Sequence, residues 1–250
     1  MEGKPREADS RLTMLSTVFS YGVDKGRITR NPLLGFERLY QSERSEIVWK
    51  EDDVLRFMNG ASPELQRAMI LALHTGQRYG DLLRLKWSEY DGERISLRQS
   101  KGDVLVTIAC TKALKKMLDE APRTSTFILT RADGKPWITN NDDKALWKAW
   151  HARMEDAGFY AKPMKEMTKK EKQACLHIHD LRGTAVTLLA EAGATVPQIA
   201  AITGHSLDSA SRILSRYMSM TPALAKAAMV LFENSAGTQF ANRLQTKQRG

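Results

Sequence analysis

Four short segments carry side chains able to work on a phosphate ester: Thr75-Gly76-Gln77-Arg78, Ser100-Lys101-Gly102, His179-Asp180-Leu181-Arg182, and Gly204-His205, with Tyr217 farther on. Breaking a phosphodiester with a side-chain hydroxyl sets three requirements. Negative charge growing on the phosphoryl oxygens needs fixed cations, the nucleophile must lose a proton, and the leaving oxygen must gain one. A guanidinium suits the first task, because it presents a planar fork of donors and stays charged. Arg78 and Arg182 are the candidates, with His205 as a third donor. A phenol has a pKa of about 10, so only ~0.1% is ionised at pH 7, and using it as a nucleophile costs about 4 kcal/mol unless a base helps. His179 is the candidate base. Taken singly, each segment has a plainer reading. Either arginine is a surface salt bridge, Tyr217 is helix packing, and Lys101 is a solvated charge at a turn.

The elements that must hold these residues are mostly helical. Ser62-Pro63-Glu64 starts a helix, the stripe Leu65, Met69, Ala72 follows, and Gly76 closes it. A short helix is expected around Asp81 to Leu85. Arg94 to Arg98 and Val104 to Ile108 alternate apolar and polar residues and read as two strands, joined through Gly102 into a hairpin. Further helices are expected at about 111–120, 141–157, 180–192, 197–203, 208–217 and 222–234, the last with Thr221 as cap and Pro222 just inside. The fold class is therefore mainly α with a small antiparallel β-sheet (α+β). Upstream, Arg11 to Val23 has one helical apolar stripe, Asn31-Pro32 ends it, and Gln41 to Ser45 reads as a linker. Residues 1–45 are too few to build a core and look like the tail of another domain; residues 46–250 form the main one.

The set Arg78, Lys101 on a hairpin, His179-x-x-Arg182, Gly204-His205 and then Tyr217, in that order, resembles the tyrosine recombinase (phage integrase) family over about residues 47 to 234. The resemblance implies the family's catalytic-domain fold, with residues 1–45 as the C-terminal remnant of a core-binding domain. It implies a site-specific recombinase or integrase that cleaves and rejoins double-stranded DNA. Tyr217 would be the nucleophile, forming a 3′-phosphotyrosine, and Lys101 the general acid for the departing 5′-oxygen. Neither cofactor nor metal is implied. The expected assembly is a homotetramer on DNA with exchange of the C-terminal helix, cytoplasmic, prokaryotic or phage-encoded, and nucleoid-associated. Two departures stand out. Where the family commonly has Arg-x-Ser-Glu, this chain has Arg78-Tyr79-Gly80-Asp81, and the step of 12 residues from His205 to Tyr217 is longer than is common. Tyr217 is nevertheless the only tyrosine after His205.

Composition narrows the alternatives. The chain has 250 residues, 38 Lys and Arg against 29 Asp and Glu, and a net charge of +9, which favours a polyanionic partner. Its apolar runs are far too short to span a membrane, the N-terminus has no apolar signal core, and two cysteines, Cys110 and Cys175, make no disulfide framework. His177-Ile178-His179 could belong to a metal-dependent hydrolase, but His74, His151 and His205 are single and scattered, and Arg182 brings a cation to the place. Two relatives of the main reading remain: a type IB topoisomerase, which would relax DNA without exchanging partners, and an inert DNA-binding protein. Residues 161–172, rich in lysine, read as a basic loop able to meet DNA phosphates. Trp147 and Trp150 read as a packed pair, and Thr195 to Ile199 as a link between helices.

Overall fold

The structure, a computed structural model, describes residues 4–40, 47–139, 144–217 and 229–234, with the backbone alone at Arg216 and Tyr217. Its internal contacts divide the chain into two units, Met1–Ser45 and Glu46–Gly250. In the first, helix α1 (Pro5–Asp24) begins on a proline, whose missing N–H is no loss at a helix start. It starts earlier than the apolar stripe alone suggests. The chain then folds back along α1. Asn31 Nδ2 donates to Ser16 O and Ser20 Oγ, and the buried Asp9 carboxylate accepts the backbone N–H groups of Leu39 and Tyr40 at 3.0 and 2.8 Å. Polar staples hold this unit, while Met14, Leu15, Val18 and Tyr21 stay exposed.

The second unit opens with α2 (Glu51–Met58) and α3 (Pro63–Thr75). Helix α3 turns Leu65, Ala68, Met69, Leu71 and Ala72 inward and ends at Gly76 in the left-handed conformation, φ +59°. A short α4 (Tyr79–Arg84) leads to the hairpin of β1 (Arg94–Arg98) and β2 (Leu105–Ala109). Ile95 faces Ile108 and Leu97 faces Val106; all four are buried, so the period-2 pattern has one face on the core. Then come α5 (Lys112–Glu120), capped by Thr111 Oγ1, and α6 (Lys144–Asp156). Helix α7 (Lys169–Ala174) precedes α8 (Leu181–Glu191), α9 (Val196–Thr203) and α10 (Leu207–Tyr217). Helix α3 packs on α5 and α8, and α9 packs on β2, which draws the hairpin and the C-terminal helices around α3.

Behind this arrangement lies an aromatic cluster. Phe57 stacks on Trp150 with ring centroids 4.1 Å apart, and Trp49 meets both edge-on. Trp49 also donates from Nε1 to His177 O and from its backbone N–H to Thr184 Oγ1, each at 2.9 Å. Losing a buried aromatic ring costs about 3–5 kcal/mol. The segment from His177 to Thr184, which carries His179 and Arg182, is thus pinned to the firmest part of the core.

Three expectations need correction or restriction. Residues 161–172 are not simply a loop: a 3-10 turn at Met164–Glu166 precedes α7, whose start is a capping box in which Thr168 Oγ1 accepts from Glu171 N and Glu171 accepts from Thr168 N. Local side-chain bonds outweighed the solvated-lysine composition there. Trp147 and Trp150 are not equivalent, since Trp150 is fully buried while Trp147 is 37% exposed and lies against His151. Of the last expected helix, residues 229–234 are helical, and Thr221 and Pro222 fall outside the described residues. Among the described residues no helix is long and apolar enough to cross a membrane.

Candidate active site

Arg78 stands on the turn between α3 and α4, where its own residue caps α4. The tight turn requires Gly76: besides its positive φ, a Cβ there would come within 2.9 Å of Thr203 Cγ2. Arg78 Nη1 donates to Gln99 Oε1 at 2.6 Å and stands 3.8 Å from Asp81 Oδ2. Asp81 spends its other oxygen on the hairpin, accepting from Ser100 N at 3.0 Å and Ser100 Oγ at 2.7 Å. The shorter carboxylate at the family's Glu position therefore clamps the root of the loop that bears Lys101. Lys101 itself is exposed at the tip, followed by Gly102 and Asp103, both at positive φ.

Arg182 extends from the first turn of α8. Its Nη1 donates to Gly76 O at 2.6 Å and its Nε to His205 Nε2 at 3.2 Å, whereas Nη2 is buried without a hydrogen-bond partner. Burial, and then the charge of Arg78, lower its pKa to about 10, so it remains protonated at neutral pH while the two guanidiniums repel each other. His205 follows Gly204 at the C-terminal cap of α9. Burial, then Arg182 and Arg78, push its pKa down to about 4. The neutral ring has a defined tautomer. Nε2 accepts from Arg182, so Nδ1 carries the proton and donates to Thr203 Oγ1 at 2.8 Å, which in turn donates to Ile199 O at 2.7 Å. His205 is thus an acceptor toward Arg182.

His179 lies in the 3-10 turn Ile178–Asp180 that runs into α8, its ring 5.0 Å from that of Tyr79. Tyr79 belongs to α4, so His179 stands beside the element that Arg78 caps. Tyr217 is the last residue of α10, and its side chain lies outside the described residues. The structure therefore gathers Arg78, Arg182 and His205, and sets Lys101 and His179 on elements bonded or packed to them. His177 turns its Nε2 to Lys172 O, to which it donates at 2.9 Å.

Two residues of this centre carry no role in the sequence reading. Gln77 and Gln99, 3% and 1% exposed, face each other, with Gln99 Nε2 donating to Gln77 Oε1. A signal for Gln99 exists. Ile95, Leu97 and Gln99 alternate inward along β1 and its extension, so a buried polar side chain there must find partners.

Comparison with known proteins follows the same outline. The fold is that of DNA-bound integrases. A lambda integrase fragment (residues 75–356) solved as a dimer on a COC′ core site superposes with a TM-score of 0.65 at 23% identity, covering 85% of this chain and 74% of that one. An integrase of the transposon Tn1549, in complex with a circular intermediate DNA, gives 0.62 at 18% identity over 89% and 78%. The model of the phage integrase family matches residues 48–222, and the chain belongs to that family. Among relatives, a XerC-like tyrosine recombinase of Caldanaerobacter subterraneus is 25% identical over 82% of this chain and 61% of its own length. The integrases of Enterobacteria phage 434 and Escherichia phage lambda are each 34% identical, over 44% and 43% of this chain and 32% and 31% of theirs. The chain thus spans less than two thirds of the length of these relatives.

Proposed function

We propose that the second unit cleaves and rejoins duplex DNA through a phosphotyrosine, as the catalytic part of a site-specific recombinase. The observation that carries this reading is the half-buried Arg182, whose Nη2 is buried and unpartnered, beside a neutral His205 and a second guanidinium at Arg78. Two cations held together against their own repulsion form a seat for an anion. A phosphodiester fits it, since its two non-bridging oxygens can each take a guanidinium donor. Tyr217 Oη attacks phosphorus, the bond to the 5′-oxygen breaks, and the 3′ end stays on the tyrosine. His179 takes the phenolic proton and Lys101 gives one to the leaving oxygen. The reverse attack by a 5′-hydroxyl restores the diester, so bond energy is conserved without a nucleotide cofactor.

The same reading extends to the rest of the chain. Residues 1–45 serve as the end of a core-binding domain, and the working assembly is a tetramer on DNA, joined by exchange of the C-terminal helix. The lambda integrase tetramer on a Holliday junction, at a TM-score of 0.61, supports a tetramer on DNA. The test is covalent-adduct formation on negatively supercoiled plasmid in excess EDTA. The protein should form an SDS-stable adduct, and Arg78→Ala and Arg182→Ala should each lose 100-fold or more, the approximate scale of removing a donor to transition-state charge. Adduct formation that needs added zinc or magnesium would remove the reading.

A further inference from the structure

Gln99 holds more of the candidate site together than any residue assigned to the chemistry. Its Oε1 accepts from Arg78 Nη1 at 2.6 Å, while its Nε2 donates to Gln77 Oε1 and, at 2.8 Å, to Thr203 O. Gln77 Nε2 continues the chain to Thr75 O at 3.0 Å and Ile202 O at 2.9 Å. One amide thereby joins the Arg78 turn, the root of the Lys101 hairpin, and the Thr203-Gly204 turn that delivers His205. Space confirms the lock: a Cβ on Gly204, at φ +68°, would sit 2.6 Å from Gln99 Cδ.

The orientation of both amides follows from their partners. Turning Gln99 over would set its NH2 against the guanidinium and its oxygen against Thr203 O and Gln77 Oε1. Turning Gln77 over would set its oxygen against two backbone carbonyls. Each flip replaces every bond by a repulsion between like groups. A neutral acceptor is also what the chemistry needs. Arg78 already has Asp81 Oδ2 3.8 Å away, so a second carboxylate, at residue 99, would over-neutralise it, whereas an amide fixes the guanidinium without adding charge. We infer that Gln99 is the positioning residue that aligns Arg78 with the Lys101 hairpin and the His205 turn, and that its neutral amide keeps Arg78 available to the scissile phosphate. This rests on the strand-cleavage reading only for the last clause.

The test uses the full chain with Gln99→Leu and Gln99→Glu, and two readouts. The first needs no DNA: nuclear magnetic resonance of the Arg78 guanidinium, assigned by its loss in Arg78→Lys. In the unsubstituted protein hindered rotation should give separate Nη signals, and Gln99→Leu should merge them. The second is the single-turnover adduct rate on supercoiled plasmid from pH 8 to pH 6, with thermal melts as a control on folding. Gln99→Leu should slow cleavage about 10-fold or more, the scale of losing a hydrogen bond to a charged group, with duplex affinity little changed. Gln99→Glu should be slow throughout this range, because a carboxyl with an ordinary pKa of about 4.3 stays ionised beside the Arg78 guanidinium. Unmerged Nη signals in Gln99→Leu, or a Gln99→Glu protein that cleaves as fast as the unsubstituted one, would overturn the assignment. If the unsubstituted chain forms no adduct, the cleavage reading fails, while the Arg78 spectrum still decides whether Gln99 positions it.

Discussion

At the scale of single residues, the candidate site separates groups proposed to meet the phosphate from groups that hold them. Asp81 belongs to the second kind: it is nearly buried, and one oxygen accepts both Ser100 N and Ser100 Oγ, fixing the residue before Lys101. Lys101 itself is exposed on a loop tip, as a group that must approach a substrate from outside would be. Its proposed task can be isolated chemically. In Lys101→Ala an alkoxide must leave unassisted, and general-acid catalysis is typically worth about 10²–10⁴-fold. Replacing the bridging 5′-oxygen by sulfur gives a leaving thiolate with a pKa near that of a cysteine thiol, about 8.5, which scarcely needs a proton. Lys101→Ala should therefore recover most of its cleavage rate on the sulfur substrate. Equal defects on both substrates would make the lysine a DNA contact rather than an acid.

At the scale of elements, the turns are where sequence and site meet. Gly204 and Gly158 both have a positive φ, +68° and +72°, but a Cβ at Gly158 would meet open space whereas one at Gly204 would enter the Gln99 amide. Gly158→Ala should cost about 1–2 kcal/mol, the backbone penalty alone. Gly204→Ala should cost clearly more in urea denaturation and lower the adduct rate as well; equal costs would mean that the Gln99 contact gives way freely. Much of this level was legible in the chain. Pro63 and Gly76 bracket α3, and the alternation of Ile95 and Leu97 announces β1. The capped helix inside the lysine-rich stretch was not, because its signal is a local box, Thr168 with Glu171, submerged in solvated charge. Arg78, Arg182 and His205 could be named from motifs. Their connection through Gln99 could not, because it joins residues 104 positions apart through a backbone carbonyl.

At the scale of the whole molecule, acid should loosen the second unit through two imidazoles, the buried His151 and the half-buried His205. Burial holds His151, 4% exposed, near a pKa of about 4, with His177 and His179 adding to the effect, and His205 is also near 4. Both values lie below the unfolded value of about 6.5. Between those limits the unfolded chain binds protons that the folded one refuses, so this stability is whole above pH 6.5 and is lost as pH falls toward 4. His151 contributes on the order of 3 kcal/mol at most, and the half-exposed His205 less, because solvent screens it. His151→Gln should therefore show a shallower fall in urea stability from pH 7 to pH 5 than the unsubstituted protein. Parallel curves would show that His151 takes up its proton without unfolding.

The central claim is that Tyr217 carries the DNA. The most direct measurement is to trap the adduct on plasmid with SDS, digest the DNA and then the protein, and sequence the nucleotide-bearing peptide by mass spectrometry. The account predicts one modified residue, Tyr217, bearing a nucleotide through its 3′-phosphate, and no adduct in Tyr217→Phe. A nucleotide on any other residue, attachment through a 5′-phosphate, or an adduct that survives Tyr217→Phe would contradict it.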